Sequence, residues 1–368
     1  MPTKAIFTMG SSRTAFNGID NHCKHDPRVR EGVVVRFGVF LLAGRFPGQG
    51  DGEALHRAMA AVRDAEAAGF DDAWIAEHHF MPYGVCPSAI TFAAQALGQT
   101  SRIVLGTAVS VLSTAHPVAL AEQAALVHEM SDGRLRLGVG RGGPWVDLEV
   151  FGTGLDRYER GFGESLDLLL RGLSEGRVSA DGDQFSFREV PIVPQLSRPG
   201  PPVTVACTSR STVDEAAVRG LPMLLGMHIG DQEKAEMVAR YAEKAVVAGR
   251  DPGSVQHVSA VLGHVADDRA QAVRELHEAM PGWLAAGLAA HTPIDGRLRS
   301  MRDPVAYTEL LCSLHPVGSP DECVDRLLAS AERTGINHVI MMVEGGGTAR
   351  RTQENIARLG VEVLPRLR

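Results

Sequence analysis

Paired cysteines are missing from this sequence. The chain of 368 residues has five cysteines, which lie far apart and form no CxxC pair. An odd number of widely spaced cysteines is typical neither of a zinc site nor of a disulfide-stapled secreted domain. The sequence therefore predicts no metal and favours a reducing cytoplasm as the compartment.

Long apolar runs and basic clusters are missing too. No stretch reaches the roughly 20 apolar residues that cross a bilayer, and residues 1–34 lack the basic-then-apolar order of a signal peptide. Lysine and arginine are scattered singly, and the formal net charge is −7. These absences argue against a membrane span and against binding to nucleic acid or to an anionic membrane surface, so small molecules are the expected partners.

The composition that remains is that of an ordinary globular protein, with 44% hydrophobic and 22% charged residues. Residues 1–34 are polar, punctuated by glycine and aperiodic, which predicts a flexible extension. Residues 35–368 are expected to form one domain, because barrels of this length routinely do.

From Arg36 onward, short apolar runs alternate with helical stretches. The first unit is "RFGVFLL", a predicted strand, followed by a helix over Glu53–Ala68 that ends at Gly69. Further helices are predicted at Ser88–Leu97, Ala119–Met130, Arg157–Leu173, Thr212–Arg219, Asp231–Ala248, Arg269–Ala279 and Thr348–Leu359. Eight such units predict an α/β protein, a (β/α)8 TIM barrel. An open doubly wound sheet is the rival, but "LLAGRFPGQGDG" lacks the GxGxxG spacing.

Two segments interrupt the alternation. Gly176–Pro202 carries turn residues around one short alternating run, Gln184–Val190, which predicts a hairpin insertion after the fourth helix. Pro281–Pro316, after the seventh strand, is longer than a tight connection and precedes a helix that begins near Pro320. We interpret it as a lid-like segment or active-site loop.

Polar motifs follow three of the predicted strands. "AEHHF" (Ala76–Phe80) follows the second strand, "RGGPW" (Arg141–Trp145) the fourth and "TSRST" (Thr208–Thr212) the fifth. In a βα barrel the loops after the strands form the functional face. All three motifs are therefore expected to converge on one mouth.

The two adjacent imidazoles allow two interpretations. Neighbouring residues on a strand point to opposite faces, so at most one of His78 and His79 is expected to face a ligand. An imidazole changes charge near neutral pH and can act as general acid, base or charge stabiliser. Alternatively, each histidine satisfies neighbouring loop groups and is structural. A metal site is disfavoured, because no further ligand motif accompanies these histidines and Glu77.

An anion site is indicated after the fourth and fifth strands. Arg141 carries a planar donor fork suited to phosphate, and the two glycines that follow it let the backbone approach a ligand. Ser209, Ser211 and Thr212 lie at a predicted helix start, where unpaired N–H groups and the helix dipole favour phosphate. The alternative is an ordinary helix cap, for which serine and threonine are common.

Six motifs in the same order carry a family resemblance. They are "EHHF", "GTAVSVLSTAHPVALAEQ", "MSDGRLRLGVGRG", "EVFGT", "GLPMLL" and "HPVGSPDEC". Together they resemble the bacterial luciferase family of flavin-dependent monooxygenases, in particular its catalytic alpha chain. The resemblance covers Arg36–Leu367.

The resemblance implies a βα barrel that binds reduced FMN, or in some branches the deazaflavin F420, at the mouth. It implies that His78 is the important active-site histidine, with His79 beside it. The family's cis peptide bond between non-proline residues would fall under the flavin ring at Ala108–Val109.

The resemblance also assigns the other flavin-binding positions. Arg141, Ser209 and Thr212 match the positions that hold the flavin phosphate. Glu77 matches a strand-end carboxylate, and Thr208 stands where luciferase has a glutamate beside that phosphate.

Three departures from luciferase fall around the substrate pocket. Gly140 replaces a reactive cysteine, Pro144 a tyrosine and Met227 a tryptophan. These replacements alter the substrate pocket more than the phosphate anchor. Neither aldehyde specificity nor light emission is therefore inferred.

The function implied is that of a two-component monooxygenase. A separate reductase would supply reduced FMN, and the enzyme would use O2 to oxygenate a small organic substrate, such as an aldehyde or ketone. Two alternatives remain open: F420-dependent hydride transfer, and a non-catalytic flavin-binding partner subunit. A homodimer is expected by resemblance.

Overall fold

The described residues of the chain are 36–297 and 302–368, and their structure is a computed structural model. The predicted flexible extension, residues 1–34, lies outside the described residues. Within the described ranges, no helix is both long and apolar enough to cross a bilayer.

Eight parallel strands form a closed barrel, which confirms the predicted fold. Consecutive barrel strands pair along the chain, and the eighth pairs with the first to close the ring. The strands are β1 (Arg36–Leu41), β2 (Asp72–Ile75), β3 (Val104–Thr107), β4 (Leu135–Gly140), β5 (Val203–Cys207), β6 (Met223–Leu225), β7 (Val258–Leu262) and β8 (His338–Met342). A two-residue strand, Ser110–Val111, extends the pairing of β4 beyond β3.

Helices surround the barrel and return the chain to the start of each strand. They are α1 (Asp51–Ala67), α2 (Ala89–Leu97), α3 (Pro117–Met130), α4 (Phe162–Ser174), α5 (Arg210–Arg219), α6 (Asp231–Val247), α7 (Pro320–Thr334) and α8 (Ala349–Arg358). The chain then ends in the short turns Leu359–Val363 and Leu364–Arg366. A further short turn, Pro252–Ser254, precedes β7. Because α8 packs against α1, the outer ring closes as well.

Side-chain alternation along the strands produces two apolar layers. In β1, Val39 and Leu41 belong to the layer under the outer helices, whereas Phe40 belongs to the layer inside the barrel. Trp74 is completely buried inside the barrel, and a Cβ at Gly106 would lie 2.2 Å from its ring. The barrel is therefore a packed core rather than a pore.

A charged cluster lies at the amino-terminal end of the barrel. Asp72 is fully buried, with Oδ2 2.6 Å from Arg36 Nε and 2.9 Å from His338 Nε2. The Nε1–H of Trp74 donates to its Oδ1 at 2.9 Å. Burial raises the pKa of Asp72, but His338 and Arg36 outweigh burial and lower the pKa to about 2.

The segment around α4 differs in part from the prediction. The helix predicted over Arg157–Leu173 is interrupted at Gly161, because glycine is a poor helix former. A short helix, Gly154–Arg160, precedes α4, and a single turn, Asp147–Val150, precedes that helix. After α4, the antiparallel strands Arg177–Asp181 and Ser186–Pro191 form a hairpin at the predicted place.

The chain between β7 and α7, residues 263–319, is here called the mouth insertion. Its base is a small parallel ladder of His264–Val265 with Val317–Gly318. It contains the helices Arg269–Ala289 and Pro304–Leu314, which pack against each other.

The mouth insertion corrects two details of the prediction. The helix predicted at Arg269–Ala279 runs on through Pro281 to Ala289, so Pro281–Pro316 is not an irregular loop. Pro281 removes one backbone hydrogen bond, but burial of Trp283 and Leu284 beyond it outweighs that loss. The seventh place in the outer ring belongs to α7, which packs on α6.

Candidate active site at the carboxyl ends of the strands

Strand register places the three polar motifs at one level. Ile75 of β2 pairs with Thr107 of β3, and Val139 of β4 pairs with Val205 of β5. Paired strands lie about 4.8 Å apart. The "AEHHF" motif therefore lies beside the loop after β3, and Arg141 lies beside the loop after β5.

The ring of His78 is held by packing. Its centroid lies 5.1 Å from that of Tyr83, edge-on, and a Cβ at Gly84 would lie 2.6 Å from its Nδ1. This Nδ1 is shielded from solvent and meets no hydrogen-bond partner within the described ranges. Burial, followed by the charges of His291 and His79, lowers the pKa of His78 to about 4. The imidazole is therefore neutral at pH 7.

His79 and Glu77 have partners within the protein. The ring of His79 packs edge-on against Phe151 at 5.0 Å, and its Nε2 lies 3.8 Å from Glu77 Oε1. The carboxylate of Glu77 accepts the backbone N–H of Val111 at 3.1 Å and that of Ala89 at 3.0 Å. Glu77 thus ties the loop after β2 to α2 and to the chain beyond β3.

The peptide bond between Ala108 and Val109 is cis, which confirms that prediction. Both residues are half-buried at the mouth, and the N–H of Ala108 donates to the Ile75 carbonyl at 2.7 Å. A Cβ at Gly140 would lie 2.7 Å from Val109 Cγ2. Glycine at position 140 therefore lets β4 approach this segment, and a larger residue would need Val109 to move.

The guanidinium of Arg141 lies over the ring of Tyr158, with Cζ 4.5 Å from the ring centroid. Within residues 36–297 and 302–368 it forms no ion pair with a carboxylate. The backbone carbonyl of Arg141 accepts a hydrogen bond from Ser113 Oγ, which fixes the chain at this point. A cation held by stacking and without a counter-ion is available to an anionic ligand.

The start of α5 contains the cap that the sequence allowed as an alternative. Ser209 Oγ accepts the N–H of Thr212 at 3.4 Å, and Thr212 Oγ1 accepts the N–H groups of Ser209 and Thr208, both at 3.2 Å. The next two amides, of Arg210 and Ser211, meet no acceptor in the described part of the chain. Cap and anion site are therefore compatible, because the cap leaves these N–H groups free.

Sequence reasoning missed a buried ion pair at the mouth. Glu344, just after β8, accepts the N–H groups of Leu42 and Ala43 at 2.6 and 3.1 Å and lies 3.4 Å from Arg57 Nη2. Burial raises the pKa of Glu344, and Arg57 opposes that rise. The sequence does contain a signal for Glu344, because "EGGG" follows the eighth strand. Polar residues after a barrel strand are expected at the functional face, as for the other three motifs.

Aromatic contacts from the mouth insertion were also missed. Trp283 stacks on Tyr83 with ring centroids 4.8 Å apart and donates its Nε1–H to the Tyr83 carbonyl at 3.0 Å. His291 lies on the other side, 6.0 Å from the Tyr83 ring. Residues 292–294 then form two backbone hydrogen bonds of 2.9 Å with residues 144–146. The insertion therefore covers the mouth from the loop after β2 to the loop after β4.

Comparison with known proteins decides the family. The family described as "Luciferase-like monooxygenase" matches residues 35–338. The chain belongs to this family. It is 31% identical over 353 residues to the alkanal monooxygenase alpha chain of Photorhabdus luminescens, with 91% of this chain and 98% of that chain covered. The alpha chain from a Kryptophanaron alfredi symbiont is 29% identical, with 91% and 99% covered.

Solved structures have the same barrel as this member of the family. The monooxygenase RslO1 from Streptomyces bottropensis superposes with a TM-score of 0.79 at 22% identity, covering 90% of this chain and 99% of that one. The oxygenating constituent of 3,6-diketocamphane monooxygenase from Pseudomonas putida, in complex with FMN, gives 0.73 at 19%, covering 91% and 99%. An F420-dependent secondary alcohol dehydrogenase gives 0.70 at 18%, covering 91% and 99%.

The structure shows the surroundings of two of the residues at which this chain departs from luciferase. Met227 is buried in the layer inside the barrel. Pro144 is buried, and its carbonyl accepts the N–H of Ile294 on the mouth insertion at 2.9 Å. Residue 144 therefore joins the loop after β4 to the cover of the mouth.

Proposed function

We propose that this protein is a flavin-dependent monooxygenase that uses reduced FMN and O2 to oxygenate a small organic substrate. Membership of the luciferase-like monooxygenase family supports the reaction class. The observation that carries the proposal is the neutral imidazole of His78 at the mouth, with a buried Nδ1 that has no partner in the described residues. Reduced FMN from a separate reductase supplies the electrons that activate O2.

The phosphate end of FMN fits the loops after β4 and β5. Arg141 offers a guanidinium without a carboxylate partner in the described ranges, and Arg210 and Ser211 offer amide donors at the positive end of α5. In this proposal Ser209 and Thr212 shape the site as the cap and add their hydroxyls. Thr208 precedes them, and its exposed side chain would border the phosphate.

The ring end of FMN is proposed to lie beside the chain after β3, next to the end of β4. Ala108 and Val109 have apolar, half-buried side chains there, against which a planar group would pack. Glu77 holds this segment through the N–H of Val111. Its role in flavin binding is therefore to position the chain.

His78 manages the proton in the proposed mechanism. A neutral imidazole accepts a proton from a reacting group, and burial keeps His78 neutral through the physiological range. His79 supports it from the neighbouring position, beside Glu77. The mouth insertion covers the site, and exclusion of water there would limit side reactions during turnover.

Aldehydes and ketones are the first substrates to test. The alpha-chain relatives are named alkanal monooxygenases. Met227 and Pro144 lie where the resemblance places larger aromatic side chains in luciferase, so a different chain length or a bulkier carbonyl compound is expected to fit.

The deciding experiment follows the reaction of anaerobically reduced FMN with O2 in the presence of excess protein. We expect a delay between loss of reduced FMN and appearance of oxidised FMN in the absorption spectrum, and consumption of an added carbonyl substrate. Free FMN and the Arg141→Ala variant are the controls. Oxidation as fast as that of free FMN, at protein concentrations that bind all the flavin, would contradict the proposal.

F420-dependent hydride transfer is the second candidate, because the barrel of an F420-dependent dehydrogenase superposes on this one. Anaerobic oxidation of reduced F420 coupled to reduction of a carbonyl compound would favour it. A non-catalytic partner subunit is the third. Oxygenation that depends on a second chain and is unaffected by His78→Asn would favour that function.

Quaternary structure is a separate expectation of the proposal. Sedimentation velocity is expected to give a homodimer. A monomer over the concentrations used in the assay would show that a single barrel suffices.

A further inference from the structure

The arginines that lie over aromatic rings differ in whether they have an acceptor. Within the described ranges there are four of them, Arg57, Arg141, Arg157 and Arg302. Arg57 contacts Glu344, and Arg157 donates to two backbone carbonyls after β3. Arg141 and Arg302 have neither a carboxylate nor a carbonyl acceptor in those ranges. Because Arg141 is assigned to the flavin phosphate, Arg302 remains as a cation available to a second anion.

Arg302 is held on the apolar lining of the mouth. It lies just before the helix Pro304–Leu314, with Cζ 4.8 Å from the ring centroid of Tyr307. Tyr307 is buried in the layer inside the barrel, which also contains Met227. Arg302 itself is exposed. Its charge can therefore bind an anion without the large cost of taking both charges out of water.

Tyr83 is close to both Arg302 and His78. Burial and then Tyr307 raise the pKa of Tyr83, and the charge of Arg302 opposes that rise. The ring centroid of Tyr83 lies 5.1 Å from that of His78. In the part of the chain that the structure describes, the hydroxyl of Tyr83 has no hydrogen-bond partner. The phenol is therefore a second free donor, next to Arg302 and on the side of His78.

The charge at this place is a single one. The pKa of the half-buried His228 is lowered by burial and then by Arg302, so this imidazole is neutral at pH 7. Lys234 also acts on His228, but it is fully buried and donates to Ser259 Oγ at 2.8 Å. One exposed guanidinium matches one carboxylate, whose two oxygens fit its fork, whereas a phosphate dianion would keep an uncompensated charge.

We propose that the carbonyl substrate carries a carboxylate, and that Arg302 binds this carboxylate with a further hydrogen bond from the Tyr83 hydroxyl. This inference rests on the proposed function and names its substrate class: oxo acids rather than neutral aldehydes or ketones. The carboxylate lies at the outer part of the mouth, and the rest of the molecule extends past Tyr83, with its carbonyl group toward His78. Arg302 is thus a residue that determines specificity and takes no part in bond making.

The test compares two matched series of probes. One series is 2-alkanones of increasing chain length, and the other is the same ketones with a carboxylate at the far end. Calorimetric titration measures their binding to the protein with oxidised FMN and to the flavin-free protein, so no oxygenation is involved. We expect the best oxo acid to bind about 10-fold more tightly than the matching ketone, the usual contribution of a hydrogen-bonded charge. Added salt should reduce this preference, because exposed charges are screened.

Arg302→Met removes the charge and keeps an unbranched side chain. This variant should lose the preference for the oxo acid and bind the neutral ketones as the wild type does. Arg274→Met, at an exposed position of the helix Arg269–Ala289, is the matched control and should keep the preference. Tyr83→Phe should lose a smaller part of it.

Equal binding of ketones and oxo acids by the wild type would overturn the proposal. A preference that persists in Arg302→Met, or that disappears equally in Arg274→Met, would overturn it as well. A full preference in Tyr83→Phe would overturn the role of that hydroxyl. If the protein is not a monooxygenase, the oxygen experiment fails while the preference and its loss in Arg302→Met remain, so the two failures can be told apart.

Discussion

Glu77 and Thr212 have their side-chain oxygens occupied by backbone amides, whereas Nδ1 of His78 and the guanidinium of Arg141 have no such partners in the described residues. The occupied groups hold the loops in shape, and the unoccupied groups remain available to a ligand. Sequence motifs identified all four residues together. Only their hydrogen bonds separate the two roles.

His78→Asn is predicted to lower kcat by about 10²–10⁴-fold, the usual contribution of a general base. The wild-type rate should stay level from pH 8 to pH 5 and fall as the pH approaches the His78 pKa of about 4, because protonation removes the base. Steady-state rates of folded protein across this range are the measurement. His56→Asn, at an exposed position of α1, is the control. A variant rate equal to that of the wild type would refute the assignment.

Arg141→Ala is predicted to weaken FMN binding by about 10–100-fold, the loss expected for hydrogen bonds to a charged group. Riboflavin, which lacks the phosphate, should bind the variant and the wild type equally. Fluorescence titration with both flavins measures the difference. Arg160→Ala, on the helix that carries Tyr158, is the matched control. Equal loss of both flavins would mean that Arg141 does not contact the phosphate.

The Arg57–Glu344 pair acts at the scale of elements, since it joins α1, the loop after β1 and the end of β8. Glu344→Gln leaves Arg57 buried without its counter-charge. We predict a loss of about 3 kcal/mol in the free energy of unfolding, measured by urea denaturation.

Arg57→Met removes the opposite charge and provides the double-mutant cycle. The double variant should be less destabilised than the sum of the two single variants, because neither charge remains unpaired. Additive losses would mean that the two side chains do not stabilise each other.

The mouth insertion shows where local sequence signals fail. Pro281 predicts the end of a helix, yet the helix continues to Ala289 because its later residues are buried against the loops after β1 and β2. Gly287 is required for this contact, since a Cβ there would lie 2.7 Å from the Tyr83 ring. Such packing cannot be derived from periodicity, which describes one element at a time.

At the scale of the whole molecule, a second buried charged cluster lies at the end of the barrel opposite the candidate site. Asp72, Arg36 and His338 are at the start of the strands, and the candidate site is at their ends. Asp72→Asn is predicted to lower the free energy of unfolding by about 3 kcal/mol at pH 7. The activity per folded molecule should not change.

The pH dependence of this effect has a definite sign. The folded-state pKa of Asp72, about 2, lies below its ordinary value of 3.8, so ionised Asp72 stabilises the fold above about pH 4. The difference between wild type and Asp72→Asn should shrink as the pH falls from about 4 to about 2. Urea unfolding at pH 7, 5 and 3.5 measures it, with the exposed Asp321→Asn as control. A loss no larger than that control would contradict the prediction.

The amino-acid sequence by itself determined the barrel and the position of its mouth. The spacing of apolar residues in a strand or a helix is a local property, and eight repeats of a strand–helix unit predict a closed barrel. Because the loops after the strands of such a barrel form its functional face, the sequence also located His78 and Arg141. Only the tertiary structure decided which of their atoms have partners, where the mouth insertion packs, and that Arg57 meets Glu344 from 287 positions away. Those contacts depend on burial and on competition for hydrogen bonds between segments that are distant in sequence. The spacing of residues within one strand or helix therefore cannot predict them.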